Sequence, residues 1–525
     1  MARQERADFD RYYDVVVVGG GLSGLACANY LAREGRRVLL LEQSHKAGGC
    51  MAGFWKKGFY FDGGDQSFES VGAVFPILKE LGVYDLHHWE QCRYRLKTPG
   101  GDFLVTSLDA VRDNLQREFP DETGLTAVFD EIKKYNDFFV NLMALNVKDP
   151  KPTSANLVNV LKRLPEARKW MHPAYKGELL GRLTNPVLRN WFTNYGYDHM
   201  PFVLFAGFWH MWVEDYWYPA GGIQSLIDSL VQKLREHGGQ VRFNTPVAGI
   251  RVRNRAVCGV TTAGGEAIEA GRVVYTGDYK KLVFQLLGER FLDPSFAARV
   301  RRAKVTESFV TVFLGLDMPA EVLRERMQAH HVVCFSGYRA EIPRPGSDIG
   351  IHGRNWVELS SPGFGGPGLA PEGKSSLVLQ TLSTVGWQDY WKTGGPDHKR
   401  TAAYRRLKQQ VGMELVKNAE AVLPDLGRRI EFMEVGTPLT LERFTWNTDG
   451  ASAGWSHDQS PGNMVGRWGL FRFRTPVAGL YTAGHYTFWP GGVPSAISSG
   501  KFAAEMVLER GGLGRLDKLM KRLGR

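Results

Sequence analysis

Residues Asp14–Gly24 read DVVVVGGGLSG, and Arg37–Glu42 reads RVLLLE. The four valines, Val15 to Val18, form an apolar β-branched run of the kind that makes a strand buried on both faces. The glycines after it have separate tasks. Gly19 allows a tight turn, Gly21 lets the backbone approach a pyrophosphate, and Gly24 lets the next helix pack close to the strand. Leu22, Leu25, Ala26 and Leu31 recur at roughly helical spacing, so a helix starts where its free N–H groups can face phosphate. Val38–Leu41 supplies a second strand. Glu42 ends it with a carboxylate that can hold a ribose diol and would repel a 2′-phosphate. Leu22, Ser23 and Gln43 lie within this unit and are expected to border the same nucleotide. Strand, turn, helix, strand and acid in register read as a dinucleotide-binding unit.

A second glycine-rich signature, Gly479–Gly500, reads GLYTAGHYTFWPGGVPSAISSG. Two such motifs at opposite ends of one chain point to a flavin enzyme. At 525 residues the chain has room for two or three domains and a large core. Its formal net charge of +11 is scattered rather than gathered into a stripe, which speaks against nucleic acid as a partner. Cys27, Cys50, Cys92, Cys258 and Cys334 form no Cys-x-x-Cys pair, so neither a zinc site nor a disulfide framework is expected. His87-His88 and His330-His331 are adjacent pairs without metal-ligand spacing, and no metal is expected. Met1–Tyr13 has no apolar core for a cleavable signal, and the apolar stretch Val15–Leu31 is accounted for by the fingerprint. The expected location is cytoplasmic, with or without peripheral contact to a membrane surface.

Further segments outline the organisation. Gly48-Gly49-Cys50 is a glycine loop, and Gly58–Gly64 an aromatic strand ended by a turn. Tyr218–Gly222 opens an amphipathic helix with Leu226, Ile227, Leu230, Val231 and Leu234 on one face, stopped by Gly238-Gly239. Strands follow at 240–243, 247–253 and 257–262, a hairpin turn at Gly264-Gly265, and an apolar strand at Arg272–Asp278. The fold class expected is α/β: a discontinuous Rossmann-type nucleotide domain from residues 10–90, 215–290 and 430–510. Insertions at 91–214 and 291–429 would build an α+β substrate or membrane-facing domain, and 511–525 a basic amphipathic tail.

These motifs resemble the phytoene desaturase, carotenoid isomerase and retinol saturase group of FAD-dependent oxidoreductases, which share a fold with amine oxidases. The resemblance rests on Gly19–Glu42, Gly48–Cys50 with Gly58–Gly64, Tyr218–Gly222, Val273–Asp278 and Gly479–Gly500, and so spans nearly the whole chain. It implies FAD, with Gly19, Gly21 and Gly24 at the pyrophosphate and Glu42 on the adenosine ribose. Gly48 and Gly49 would border the phosphate and ribityl chain, Val247 the adenine, and Gly484 the pyrophosphate from the other side. Asp278 falls in the matching Val273–Asp278 segment. Gly492-Val493-Pro494 would lie along the isoalloxazine, with the helix from Ser495 aimed at the flavin N1/O2 edge, where negative charge develops. Many relatives carry arginine where this chain has Cys50, which departs from a plain phytoene-desaturase pattern.

An oily substrate is the expected partner. The aromatic run Met200–Val213 is too short to span a bilayer. It reads either as a core helix of the second domain or as the lining of an apolar tunnel or membrane dip. Trp446, Trp455, Trp468, Phe471, Phe473, Phe488 and Trp489 could form a slot for a flat conjugated chain or be ordinary packing. The tail carries Leu516, Leu519, Met520 and Leu523 on one helical face with cations opposite, which suits either anionic lipid or solvent. Flavin brings the redox chemistry, so catalytic side chains are few: His485 near the cofactor, for a hydrogen bond to cofactor or backbone or for proton transfer, and Glu442 with Arg443, either an acid near the substrate or a pair engaged with each other or with solvent. The activity these features imply is desaturation, saturation or cis–trans isomerisation of a carotenoid, retinoid or fatty acyl chain through hydride exchange at flavin N5. A flavin amine oxidase and a non-redox lipid escort of the same fold are the alternatives. Oligomeric state has no signature in the sequence.

Overall fold

Two seven-stranded sheets carry the molecule. The computed structural model describes residues 12–64, 66–145, 153–394, 400–458, 473–488 and 491–510. The first sheet holds β1 (Tyr12–Val18), β2 (Val38–Leu41), β9 (Gln240–Arg242), β10 (Val247–Arg253), β11 (Ala256–Thr262), β12 (Ala267–Tyr275) and β18 (Leu480–Thr482). Its centre is parallel, in the order β9, β2, β1, β12, β18. β12 is long enough to serve two neighbours on one edge: Ala267–Glu269 pairs antiparallel with β11, and Val273–Tyr275 pairs parallel with β18. The valines of β1 are buried on both sides, Val15 and Val17 in one core cluster and Val16 and Val18 in another.

The fingerprint helix, Leu22–Arg33, lies in the first of these clusters. Helices Ile223–Glu236 and Val493–Val507 pack against it, so the two ends of the chain meet there. Glycine lets the fingerprint helix sit close on the turn after β1 and lets Val493–Val507 sit close on that helix. A Cβ on Gly24 would sit 2.0 Å from the Gly19 carbonyl oxygen, and one on Gly500 would sit 2.3 Å from that of Ser23. Ile223–Glu236 buries Leu226, Ile227, Leu230, Val231 and Leu234, the face expected from their spacing.

The second sheet runs β17 (Ile430–Gly436), β13 (Ser308–Leu316), β16 (Ser375–Ser383), β15 (Trp356–Ser360), β14 (His331–Phe335), β6 (Tyr94–Lys97), β7 (Asp102–Leu104). β17 hydrogen bonds to β13, so residues 430–436, counted from sequence with the nucleotide unit, lie in this sheet. A short pair, β5 (Trp89–Gln91) with β8 (Trp217–Pro219), lies between the sheet segments. The aromatic strand is one arm of a hairpin, β3 (Gly53–Lys56) with β4 (Phe59–Asp62), and Phe59 and Phe61 pack on Phe313, Val378 and Phe432 of the second sheet.

Of the readings of the aromatic run, the core helix is the one seen. Phe202–Glu214 is a helix that buries Phe202, Val203, Phe205, Ala206, Trp209 and Trp212 among Phe129, Phe192 and Tyr94. Among the described residues no helix is long and apolar enough to cross a membrane. The tail 511–525 and Trp468, Phe471 and Trp489 lie outside the described residues.

Candidate functional site

The C-terminal ends of β1, β2 and β12 open onto one cavity, the position at which open parallel sheets bind ligands. It encloses about 1120 Å³ of space, its open mouth included. The turn after β1 contributes Gly19, Gly21, Leu22 and Ser23, and the end of β2 contributes Glu42 and Gln43. Gly48, Gly49 and Val247 complete that side, while Asp278, Gly484, His485, Gly492 and Val493 close the other. The structure therefore gathers these sequence-predicted residues from three distant parts of the chain into one wall.

Four predicted residues do not reach it. Gly24 faces away, packed on the Gly19 carbonyl, and Pro494 is held in the first turn of Val493–Val507. Glu442 and Arg443 do not line the cavity either, although Phe444 and Thr445 of the same helix, Pro438–Thr445, and Trp446, which ends it in the left-handed region, do. Arg443 is exposed and lies over the ring of Phe444.

Glu42 is buried but not isolated. Its carboxylate accepts from the N–H of Gly20 at 2.6 Å and from the N–H of Ser44 at 2.8 Å. One donor binds each oxygen, which fixes the plane of the group and leaves each oxygen a further lone pair. The double-glycine loop is pinned to the same turn by Gly48 N–H donating to the Gly20 carbonyl at 2.9 Å. Gly48 has φ +135°, which favours glycine strongly.

Two helix N-termini face the cavity. Gly21 begins Leu22–Arg33 and Gly492, at φ +76°, begins Val493–Val507; neither has a side-chain cap. Their first N–H groups and the positive ends of the helix dipoles are thus available to an anionic ligand.

Asp278, 1% exposed, accepts from Thr448 N–H at 2.6 Å, Lys281 N–H at 3.0 Å and the Tyr486 hydroxyl at 3.0 Å. This carboxylate ties the end of β12 to the segment after Trp446 and to the C-terminal signature. Beside it His485 lines the cavity; burial pushes its imidazole down to about 4, against a smaller upward pull from Asp278. At neutral pH it is an uncharged hydrogen-bonding group.

Cys50 lines the wall beside the double glycine it was read with, whereas sequence reasoning missed Thr245, Thr276, Gly277, Leu286, Phe444, Thr445, Asn447 and Ser452. Thr276 and Gly277 were recoverable, since they follow β12 as Gly19 follows β1. Thr276 Oγ1 donates to the Val18 carbonyl at 3.0 Å, joining the two strand ends. The others carry no local signal. Of the aromatic residues near the C-terminal motif, Trp446 lines the cavity, while Trp455, Phe473 and Phe488 pack in the core.

The wall fits a flavin dinucleotide. A Cβ on Gly21 would meet only Gly49 Cα, at 3.9 Å, so the space beside that backbone belongs to the cavity. Two uncapped helix N-termini match a pyrophosphate and an electron-rich ring edge, and Glu42 matches a ribose diol.

Comparison with known proteins agrees. The model of the family described as flavin containing amine oxidoreductase matches residues 22–508. All-trans-retinol 13,14-reductase of Danio rerio is 24% identical over 511 residues, covering 90% of this chain and 82% of that protein. Prolycopene isomerase of Arabidopsis thaliana is 23% identical over 97% of this chain and 84% of its own length. Phytoene desaturase (lycopene-forming) of Pseudescherichia vulneris is 24% identical over 94% and 99%. In fold the chain is similar to wild-type putrescine oxidase, at TM-score 0.59 and 16% identity over 95% of this chain and 99% of that one. Cyclohexylamine oxidase from Brevibacterium oxydans IH-35A matches at TM-score 0.56 and 15% identity, over 95% and 99%. With the family model matching almost end to end on a wall built for a flavin dinucleotide, the chain belongs to the flavin-containing amine oxidoreductase family and is an FAD-dependent oxidoreductase.

Proposed function

We propose that the chain exchanges hydrogen with a long apolar substrate bearing carbon–carbon double bonds, of the retinoid, carotenoid or unsaturated acyl class, by saturation, desaturation or cis–trans isomerisation. The observation that carries this reading is the distribution of similarity. The retinol reductase, prolycopene isomerase and phytoene desaturase match by sequence across both chains, whereas the solved amine oxidases match in fold at 15–17% identity. The wall supports it too. Its carboxylate away from the ribose end, Asp278, is already engaged by the N–H groups of Lys281 and Thr448 and the Tyr486 hydroxyl rather than presented to a cationic amine.

Bound FAD supplies a two-electron centre that accepts or donates hydride at N5. The chain's residues do the rest. Glu42 and Gln43 hold the ribose end, and the N–H groups at Gly21–Ser23 hold the pyrophosphate with Gly48 and Gly49 beside it. Val247 borders the adenine end, and Gly484 approaches from the far side. Gly492 and Val493 present the start of the C-terminal helix to the electron-rich ring edge, stabilising the negative charge of the reduced cofactor. His485, uncharged, orients by hydrogen bonding rather than acting as a cationic acid. A peripheral seat on a lipid surface belongs to the same reading, since the substrate is one that partitions into membrane.

The test is to purify the yellow holoprotein and supply retinol, acyclic carotenes and unsaturated acyl chains with oxidised and with photoreduced flavin. Mass spectrometry then reads a gain of two hydrogens, a loss of two, or a changed retention time at constant mass. Failure to transform any of these, together with peroxide production from amines, would transfer the chain to the amine-oxidising branch.

A further inference from the structure

The helix Ser154–Trp170 is amphipathic with an unusual outward face. Val160 and Trp170 are buried in the helical core of the second domain. On the exposed side Leu157, Val158, Leu161, Leu164 and, one residue past the helix, Met171 are each between 45% and 56% exposed. The spacing 157, 161 and 164 sets three leucines along one face, and Arg168 continues that face towards Met171. Scattered exposed apolar residues need no explanation, but a solvent-facing stripe of leucines does.

The cations around the stripe say what covers it. Lys162 and Arg168 are exposed and have no ion-pair partner among the described residues. Arg163 is engaged by Glu166 at 2.9 Å, and Lys169 reaches Glu131 Oε1 at 2.6 Å. Glu166, the helix's own acid, is therefore neutralised, and the outward face is net positive. A second copy of the chain is a poor cover: a two-fold pairing of this face would set its unpaired cations near those of the other copy. An anionic lipid surface meets both demands, taking leucines at the acyl boundary while lysine and arginine reach headgroups.

We propose that Ser154–Trp170 is a membrane-docking helix that seats the protein on anionic lipid through Leu157, Leu161 and Leu164, with Lys162 and Arg168 on the headgroups. The surface itself carries this assignment; its purpose, access to a membrane-dissolved substrate, rests on the function proposed above. The aromatic helix Phe202–Glu214 is not the contact, being packed in the core.

The experiment uses the full FAD-loaded chain in flotation with phosphatidylcholine vesicles, plain or with about a third phosphatidylglycerol. The wild type should float with the anionic vesicles, release at high salt, and stay behind with plain phosphatidylcholine. Leu157→Ser with Leu161→Ser should weaken binding at least about tenfold. Lys162→Gln with Arg168→Gln should weaken it about 25-fold, at about fivefold per cation. Both variants should keep the melting temperature, the flavin spectrum and turnover of detergent-dispersed substrate, which separates loss of docking from loss of the enzyme. No wild-type binding, or binding that survives both pairs of substitutions, overturns the assignment. So does a dimer in light scattering that the leucine variant dissolves.

Discussion

Ser67 Oγ lies 2.7 Å from His331 Nε2, and Nδ1 of the same ring lies 2.8 Å from Glu358 Oε1. Serine, histidine and carboxylate stand in the order of a hydrolytic triad, yet burial decides otherwise. Ser67 is 2% and His331 1% exposed, and the rings of Tyr94 and Tyr216 close on the imidazole. The arrangement ties the loop after β4 to β14 and β15, joining the hairpin beside the cofactor wall to the second sheet.

His331→Phe should therefore cost about 2–4 kcal/mol of stability by leaving buried polar groups without partners. Ser67→Ala, which removes a hydroxyl bonded to His331, the Gln66 carbonyl and Cys92, should cost about 1–3 kcal/mol. Denaturant melts of the holoprotein measure both. Ester hydrolysis that disappears in Ser67→Ala would show that the serine is a nucleophile after all.

Glu42→Ala removes a carboxylate that both meets the cavity and organises the Gly20 and Ser44 N–H groups. Flavin affinity should fall by about 1–3 kcal/mol, the worth of charged hydrogen bonds. Flavin fluorescence on dilution reads the loss. Unchanged retention would remove Glu42 from the ribose contact.

Gly500→Ala sets two effects against each other. Alanine favours a helix over glycine by about 1 kcal/mol. Its Cβ would stand 2.3 Å from the Ser23 carbonyl oxygen and 3.1 Å from Cys27 N, both backbone atoms that cannot rotate away. Overpacking of about 1–3 kcal/mol or more should win, lowering the melting temperature and loosening flavin together. A variant more stable than wild type would mean that the helices part without cost.

Acid should destabilise the protein well above the usual carboxylate range. Burial lowers His352, His457 and His485 from an ordinary 6.5 to about 4. The unfolded chain then binds more protons than the folded one between those values. Stability therefore falls as pH drops from 6.5 towards 4, by at most about 3 kcal/mol per histidine. Asp62 works the other way: burial lifts it from 3.8 to about 6, against the pull of Tyr218, Tyr60 and the Ile223 N–H. Its contribution is present at low pH and lost as pH rises through 6. Burial also lowers His87 and His330 and raises Asp215 and Glu307; five imidazoles against three carboxyls give a net loss in acid, measurable as the denaturation midpoint between pH 7 and pH 4. A flat profile would contradict the burial of these imidazoles.

The nucleotide sheet was legible because its signals are local. Val15–Val18 and Val38–Leu41 are continuous apolar strands, and Gly19, Gly21 and Gly24 have turn and packing roles that no other residue fills. The second sheet was not, because β6, which carries β7 on its other edge, joins β14 from Tyr94 to His331, nearly half the chain away, and strand periodicity carries no record of its partner. The aromatic run shows another limit. Phe202, Phe205, Trp209 and Trp212 face one core, and composition alone could not separate that core from a tunnel or a membrane. The site divides in the same way. Glycines and Glu42 announced themselves, whereas Asn447 and Thr245 enter the wall through loops whose paths are set by Asp278 and by the end of β9.

The meeting of Leu22–Arg33 with Val493–Val507 also orders the birth of the enzyme. The ribosome releases the fingerprint turn well before the helix that packs on it and completes the cofactor wall. Until then the flank of Leu22–Arg33 that this helix covers is bare, and the wall lacks Gly492 and Val493. Flavin capture consequently waits for the second signature, and products truncated before Gly492 should emerge colourless.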